Sequence, residues 1–293
     1  MGMIRRTQTA WRQRVATTHI IMSAAWQLLN EQKQLLLLPV ASSACLLLLM
    51  GAWAIPAILE VWTGASRAES ARLSGEWTSL AAFLCYLAMY GIGIFFNAAL
   101  AICVLRKMGG KPVSILDGVR EASALFPQIL GWALLSATVG VLLRTIERRS
   151  GLIGGAVTSL LGFAWTVVTF LVVPVLVAEQ KGPLEAVRKS AQLLRRTWGE
   201  DLLAGMGFGA LYFIWSIPGM ITFVLGASMI ASQLMIAIVI MGLAILYFPL
   251  LALVLSTLST IFDVVLYRYA KLGMITPGFD RELLESSFVP KAI

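Results

Sequence analysis

One carboxylate, Asp263, follows a very long apolar stretch of this 293-residue sequence. Residues 202–262 carry no charged side chain, and the next charge after Asp263 is Arg268. An ionisable group within an apolar helix is costly unless it binds a proton, a cation or a basic partner, so it is a functional candidate by default. We predict that Asp263 lines a pore or binds an ion. The alternative is a structural role, in which a donor near the end of the helix satisfies the carboxylate.

Asn97 is the second candidate for a pore or ion site. It lies in the apolar segment Phe95–Leu100, and its place in that segment corresponds to that of Asp263 in Phe262–Leu266. A buried amide either contributes to a polar path or holds two helices together through a hydrogen bond, and both interpretations remain open.

The sequence contains few residues that could support catalysis or metal binding. It contains one His and three Cys, and it lacks the HExxH and GxSxG motifs of hydrolases. The segment Gly205–Ala210 formally fits a dinucleotide-binding pattern, but no acid occurs between Asp201 and Asp263, where that pattern needs one. We interpret its glycines as helix-packing residues. The sequence predicts no catalytic residue, no metal and no cofactor.

The composition indicates which elements must position the two candidates. Hydrophobic residues make up 59% of the chain and charged residues 13%, and the mean hydropathy is +0.84. Soluble domains carry about 25% charged residues, so a water-soluble globule is excluded. Because about 20 apolar residues cross a bilayer as a helix, the charge-free runs predict an all-α polytopic membrane protein. It forms a single transmembrane domain over 1–293 with six spans, at about 35–59, 78–105, 127–144, 152–178, 202–226 and 234–266.

The basic residues predict the orientation of these spans. Eighteen Lys and Arg fall on the side that holds both termini, and five fall on the other side. Since cytoplasmic loops are enriched in Lys and Arg, residues 1–33 and the tail 267–293 are predicted to be cytoplasmic. The net charge of +8 then indicates contact with anionic lipid head groups and no nucleic-acid partner.

The segment 184–198 has the pattern of an amphipathic helix at a membrane surface. Apolar residues recur at a spacing of three and four, and basic residues occupy the other face. We predict that its lipid-contacting residues are Arg188, Lys189, Arg195, Arg196 and Trp198. The alternative is an internal brace, in which the apolar face, Leu184, Val187, Ala191 and Leu194 with Trp198, packs on neighbouring spans.

The chain is also predicted to repeat one unit three times. Each unit is a cytoplasmic-side amphipathic helix followed by a two-span hairpin, so the six spans form three hairpin repeats that face the same way. Asn97, Pro174 and Asp263 occupy equivalent places near the ends of spans.

Several segments resemble a known family. Phe95–Leu100, Gly131–Leu134 with Ile146–Arg148, and Lys189–Glu200 are similar to an uncharacterised bacterial family of six-span membrane proteins. The block from Ser190 to Trp198 is also similar to the membrane domain attached to some bacterial glycerophosphodiester phosphodiesterases. The first resemblance covers nearly the whole chain and implies an inner-membrane location. Neither resemblance supplies catalytic residues.

Two functions remain open at this stage. The first is an inner-membrane pore or transporter for an ion or small solute, with a homo-oligomer as its candidate assembly. The second is a non-enzymatic scaffold or accessory protein that binds lipid or a partner protein through its amphipathic helices. Neither of these predicted functions is enzymatic.

Overall fold

The fold is described by a computed structural model for residues 26–63, 76–149, 151–197 and 208–272. Every regular element in these ranges is a helix, which confirms the predicted all-α class. A short 3₁₀ helix covers Lys33–Leu36. The α-helices are α1 (Leu37–Thr63), α2 (Glu76–Met108), α3 (Ile115–Ala124), α4 (Phe126–Arg149), α5 (Gly151–Thr169), α6 (Val172–Glu179), α7 (Pro183–Thr197), α8 (Phe208–Ser228) and α9 (Leu234–Leu272).

Within these ranges, five segments are long and apolar enough to cross a membrane, which supports the prediction of a membrane protein. The sixth predicted span, 202–226, begins outside the described residues, and the apolar helix found there is the shorter segment Tyr212–Ser228. The five segments are Lys33–Ile55, Leu80–Met108, Phe126–Arg148, Gly155–Glu179 and Leu234–Arg268.

The chain divides into two compact units, one formed by Leu37–Ala191 and the other by residues 1–36 with 192–293. In the first unit α2 is the central helix, and it packs against α1, α3, α4 and α6. Its segment Ala98–Val104 is fully buried because small side chains alternate there with branched ones. Small residues let helix backbones approach closely, which is how helices associate where lipid removes the hydrophobic driving force.

The short amphipathic helix α3 packs on α2 through a glycine. A Cβ added at Gly118 would overlap Sγ of Cys103 and would lie 3.0 Å from the carbonyl oxygen of Ala99. Ser114 caps the start of α3 by accepting a hydrogen bond from the backbone N–H of Asp117, at 3.4 Å. The position of α3 is therefore fixed by a close backbone approach as well as by its cap.

The predicted span 152–178 differs from one continuous helix, because α5 ends at Thr169 and α6 begins at Val172. Pro174 has no N–H to donate to the carbonyl of Phe170, so the regular ladder is interrupted at this turn. The backbone N–H of Leu171 donates instead to Oγ of Ser190 on α7, at 3.1 Å, and both residues are fully buried. A side chain of the amphipathic helix thus satisfies a donor within the break.

In the second unit, α8 and α9 pack along each other as a hairpin whose turn covers residues 229–233, between the predicted spans 202–226 and 234–266. A Cβ added at Gly219 would lie 2.6 Å from Cδ1 of Tyr247, and one added at Gly226 would lie 2.8 Å from Cγ of Met241. Opposite them, Ala237 and Ala244 of α9 are buried. Gly205, for which helix packing was predicted, lies outside the described residues.

A hydrogen bond between the two helices of this hairpin lies close to the proline of α8. Pro218 lies inside α8 and lacks the N–H that the helix needs there, which disturbs the backbone of the preceding turn. The hydroxyl of Tyr247 donates to the carbonyl oxygen of Trp215 in that turn, at 2.5 Å. Neighbouring helices commonly stabilise proline-containing spans in this way.

Candidate functional site

Asp263 belongs to a row of polar residues along one side of α9. At 3.6 residues per turn, Ser256, Thr260, Asp263, Tyr267 and Lys271 all fall within a sector of about 80°. We call these five residues the polar ladder. It extends for about 22 Å along the helix axis, at 1.5 Å per residue.

The ladder is exposed at both ends and buried in the middle. Ser256 and Lys271 are exposed, whereas Thr260 is 5% exposed and Tyr267 is 2% exposed. The apolar residues beside the ladder on the same helix are buried as well, namely Leu258, Ile261 and Val264–Leu266. The polar groups therefore cross the best-packed part of α9.

The carboxylate of Asp263 lies in this buried region. The residue as a whole is partly exposed, but its Oδ1 is enclosed and has no hydrogen-bond partner among the residues that the structure describes. Arg268 does not pair with it, as expected for two residues about 140° apart around a helix. The predicted alternative, a structural carboxylate satisfied by a nearby donor, thus finds no such donor for Oδ1 in the described ranges.

The other ladder residues have identified partners. The hydroxyl of Thr260 donates to the carbonyl oxygen of Ser256 at 3.0 Å. Nζ of Lys271 donates to the hydroxyl oxygen of Tyr267 at 3.0 Å and lies 5.5 Å from the centre of its ring. Helical side chains point toward the N-terminus of their helix, so Lys271 reaches back to Tyr267 and Tyr267 reaches back toward the turn of Asp263.

Sequence reasoning identified Asp263 and missed the rest of the ladder. The missing signal was the spacing of 3 and 4 residues between polar positions from 256 to 271, which places them on one helix face.

Asn97, the second predicted ion-site residue, belongs to the other compact unit. It lies on α2 as an exposed residue immediately before the buried segment Ala98–Val104, and it takes part in a polar interaction. The structure does not bring Asn97 and Asp263 together within one unit.

An ion-pair cluster that the sequence did not predict joins α2 to α3. The guanidinium of Arg106 bonds Asp117 at 3.1 Å and also bonds Glu121. Both carboxylates are about half exposed, and exposed ion pairs contribute only about 0.2–1 kcal/mol. The cluster therefore orients α3, and the close contact at Gly118 contributes more to its attachment.

The amphipathic helix α7 has exposed basic residues and also buried small and apolar residues. Of the predicted lipid-contacting residues, Arg188 and Arg195 are exposed and Lys189 is partly exposed. The side chain of Arg196 and all of Trp198 lie outside the described residues. On other sides of the helix Ala186, Ser190 and Leu194 are buried, while Leu184, assigned to the same apolar face as Leu194, is exposed.

α7 is also held in place within the first unit. A Cβ added at Gly131 of α4 would lie 3.0 Å from Cγ of Pro183, at the start of α7. Together with the bond from Leu171 to Ser190, this close contact makes α7 a brace on one side, while Arg188 stays available to solvent or lipid head groups.

In the described ranges, no group of three or more His, Cys, Asp or Glu side chains is arranged to hold a metal ion. The thiols of Cys45, Cys85 and Cys103 are free.

Comparison with protein families matches residues 78–277 to DUF6159, a family of unknown function. No curated protein and no solved structure matches the chain. Because the match covers more than half of its length, the chain belongs to this family.

Proposed function

We propose that this family member is a non-enzymatic, multi-pass inner-membrane protein that transports an ion or small solute, and that Asp263 is its ion-binding group. The observation that carries the proposal is the enclosed, unpartnered Oδ1 of Asp263 among described residues of an apolar helix. Such an oxygen retains the capacity to bind a positively charged species, and burying it otherwise costs free energy.

The topology of this proposal follows the sequence. α8 lies in the sixth predicted span, 202–226, and both termini are cytoplasmic because that side carries most Lys and Arg. The spans form three hairpin repeats, of which α3 and α7 introduce the second and third. Asn97, at the place in its repeat that Asp263 occupies, is the second candidate pore residue, and two or more copies assemble as a homo-oligomer.

A second function is favoured by α7. Its exposed Arg188 and Arg195 are suited to anionic lipid head groups, each contributing on the order of 1 kcal/mol near a charged surface. Lys189, Arg196 and Trp198 are the other residues predicted to contact lipid. A protein that only recruits lipid or a partner through this helix needs no ion site, so a flux measurement separates the two functions.

The test uses the full-length chain in vesicles of neutral and anionic lipid, with a panel of H⁺, Na⁺, K⁺, Cl⁻ and a small neutral osmolyte. We expect flux of one cation above that of empty vesicles. Asp263→Asn should lower this flux by about tenfold or more, because the amide keeps the volume of the side chain but cannot bind the ion by charge.

Glu185→Gln is the matched control, because it removes an exposed carboxylate from α7 without touching the ladder. It should keep wild-type flux, and both variants should keep the wild-type melting temperature to within a few degrees. Flux no greater than that of empty vesicles for every solute, or equal flux in Asp263→Asn and wild type, would contradict transport and favour the scaffold function.

A further inference from the structure

We infer that the ion bound by Asp263 is a proton and that Tyr267 and Lys271 deliver it from the C-terminal end of α9. This inference rests on the proposed function and names the substrate of that same site. The observation behind it is the order of groups along the ladder: an exposed ammonium, a buried phenol in contact with it, and an enclosed carboxylate one turn further on.

The ligand set favours a proton over a metal cation. Ca²⁺ takes six to eight oxygen ligands and Mg²⁺ requires six in octahedral geometry. The hydroxyl of Thr260, the polar group one turn before Asp263 on the ladder, is already directed at the carbonyl of Ser256. A proton needs only one oxygen, and it converts the carboxylate into a neutral acid that an apolar span tolerates.

Among the residues that the structure describes, few charged groups lie on α9 or on the elements that pack against it. The elements that pack against α9 are α8, which carries no charged side chain between Phe208 and Ser228, and the 3₁₀ helix with the exposed Lys33, which Glu31 precedes. On α9 itself the other charges are Arg268 and Lys271. Of the four charged groups, Lys33, Arg268 and Lys271 are cations, and their positive charge disfavours the approach of a metal ion. The two lysines, unlike Arg268, can also pass on a proton.

The transfer involves Lys271, Tyr267 and Asp263, one bridging water molecule and the water at the exposed end. The Tyr267 hydroxyl gives its proton, through a water that bridges the turn, to Oδ1 of Asp263, where a new O–H bond forms. The phenolate oxygen takes a proton from the Lys271 ammonium, with which it shares the 3.0 Å hydrogen bond. The neutral amine then regains a proton from water at the exposed end. Tyr and Lys have similar reference pKa values, about 10 and 10.4, so this exchange is close to balanced.

The exposed end at Ser256 provides the way out. When the acid at Asp263 releases its proton, the ladder continues through Thr260 to Ser256, which is exposed about 10 Å further along the axis. The ladder is exposed at both ends and enclosed at the carboxylate, so a proton can enter at one end, bind to Asp263 and leave at the other end.

The experiment measures proton flux with a pH-sensitive dye trapped in vesicles that contain the full-length protein, at a fixed membrane potential. Tyr267→Phe should lower the initial rate by about tenfold, because the ring remains and only the transferring hydroxyl is lost. Tyr247→Phe is the matched control: it removes a hydroxyl from the same helix, one bonded to Trp215 and outside the ladder, and should keep the wild-type rate.

Lys271→Arg separates relay from electrostatics. Arginine keeps the positive charge and the hydrogen-bond donors but does not release a proton in proteins, so a relay predicts a loss of rate similar to that of Tyr267→Phe. This arm stays informative if Tyr267→Phe proves unstable, since thermal melting of each variant is recorded alongside.

The outcomes separate the two proposals. If Asp263→Asn abolishes flux of Na⁺ or K⁺ while Tyr267→Phe and Lys271→Arg leave it unchanged, the proton inference is wrong and the proposed function stands. If Asp263→Asn changes no flux at all, the proposed function fails and the inference fails with it. Proton flux lost in Asp263→Asn, Tyr267→Phe and Lys271→Arg, and kept in Tyr247→Phe, is the result that we expect.

Discussion

Gly118→Ala is expected to lower the stability of the purified protein by about 1–3 kcal/mol, the usual cost of overpacking a well-packed contact. The new Cβ overlaps Sγ of Cys103 and lies 3.0 Å from the carbonyl of Ala99. The sulfur can move only slightly because Cys103 is fully buried, and the backbone carbonyl cannot move without displacing α2. Thermal unfolding in detergent, followed by circular dichroism, measures the effect.

Two further variants make this prediction specific. Gly91→Ala, on α2 itself, places its Cβ where no atom lies within 4 Å, so it should leave stability unchanged or raise it through helix propensity. Cys103→Ala combined with Gly118→Ala removes the overlapping sulfur and should recover part of the loss. Equal melting temperatures for Gly118→Ala and Gly91→Ala would show that α3 does not pack on α2 at this glycine.

Gly226→Leu is expected to disrupt the hairpin of α8 and α9. Even a Cβ at this position lies 2.8 Å from Cγ of Met241 and 3.1 Å from the backbone N of the same residue. A leucine must therefore separate the two helices. The loss of packing along the interface between α8 and α9, which we call the seam, should cost more than the 1–3 kcal/mol that an alanine costs at such a site. The yield of monodisperse protein and its melting temperature should both fall.

The same seam contains a control and a graded series. Gly242→Leu changes a glycine of α9 whose Cβ would meet no atom within 4 Å, so it should be tolerated. Gly219→Ala, one heptad before Gly226, meets the ring of Tyr247 and should show an intermediate loss. If Gly242→Leu proves as harmful as Gly226→Leu, the seam does not lie along Gly219 and Gly226.

The sequence was sufficient to predict the helices and to identify Asp263 as the central residue of the candidate site. Charge-free runs separated by basic segments predicted helices because a buried charge is costly, and the turn at 229–233 followed from the length of the run 202–262. Asp263 stood out for the same reason. These predictions depend on composition along the chain, which hydropathy describes well.

Features that depend on contacts between helices were not predictable. The break between α5 and α6 needs Pro174, but also the hydroxyl of Ser190, nineteen residues after Leu171. Hydropathy treats 152–178 as one apolar run and carries no information about such a partner. Likewise, the ion pairs of Arg106 with Asp117 and Glu121 depend on how α3 folds back on α2.

The amphipathic helix α7 shows a third kind of difficulty. Its periodicity predicts one apolar face, but the structure buries Leu194 and exposes Leu184 from that same face. Periodicity gives the direction of a side chain around its own helix and does not say where the neighbouring helices end along it.

Infrared difference spectroscopy tests most directly whether Asp263 is a proton-binding carboxylate. The full-length protein in lipid vesicles is compared between acidic and alkaline buffer, and the C=O stretch of a protonated carboxylic acid is followed. We predict a carboxylic acid band that is present in the wild type and in Glu185→Gln and absent in Asp263→Asn. Identical difference spectra for the wild type and Asp263→Asn would contradict the account.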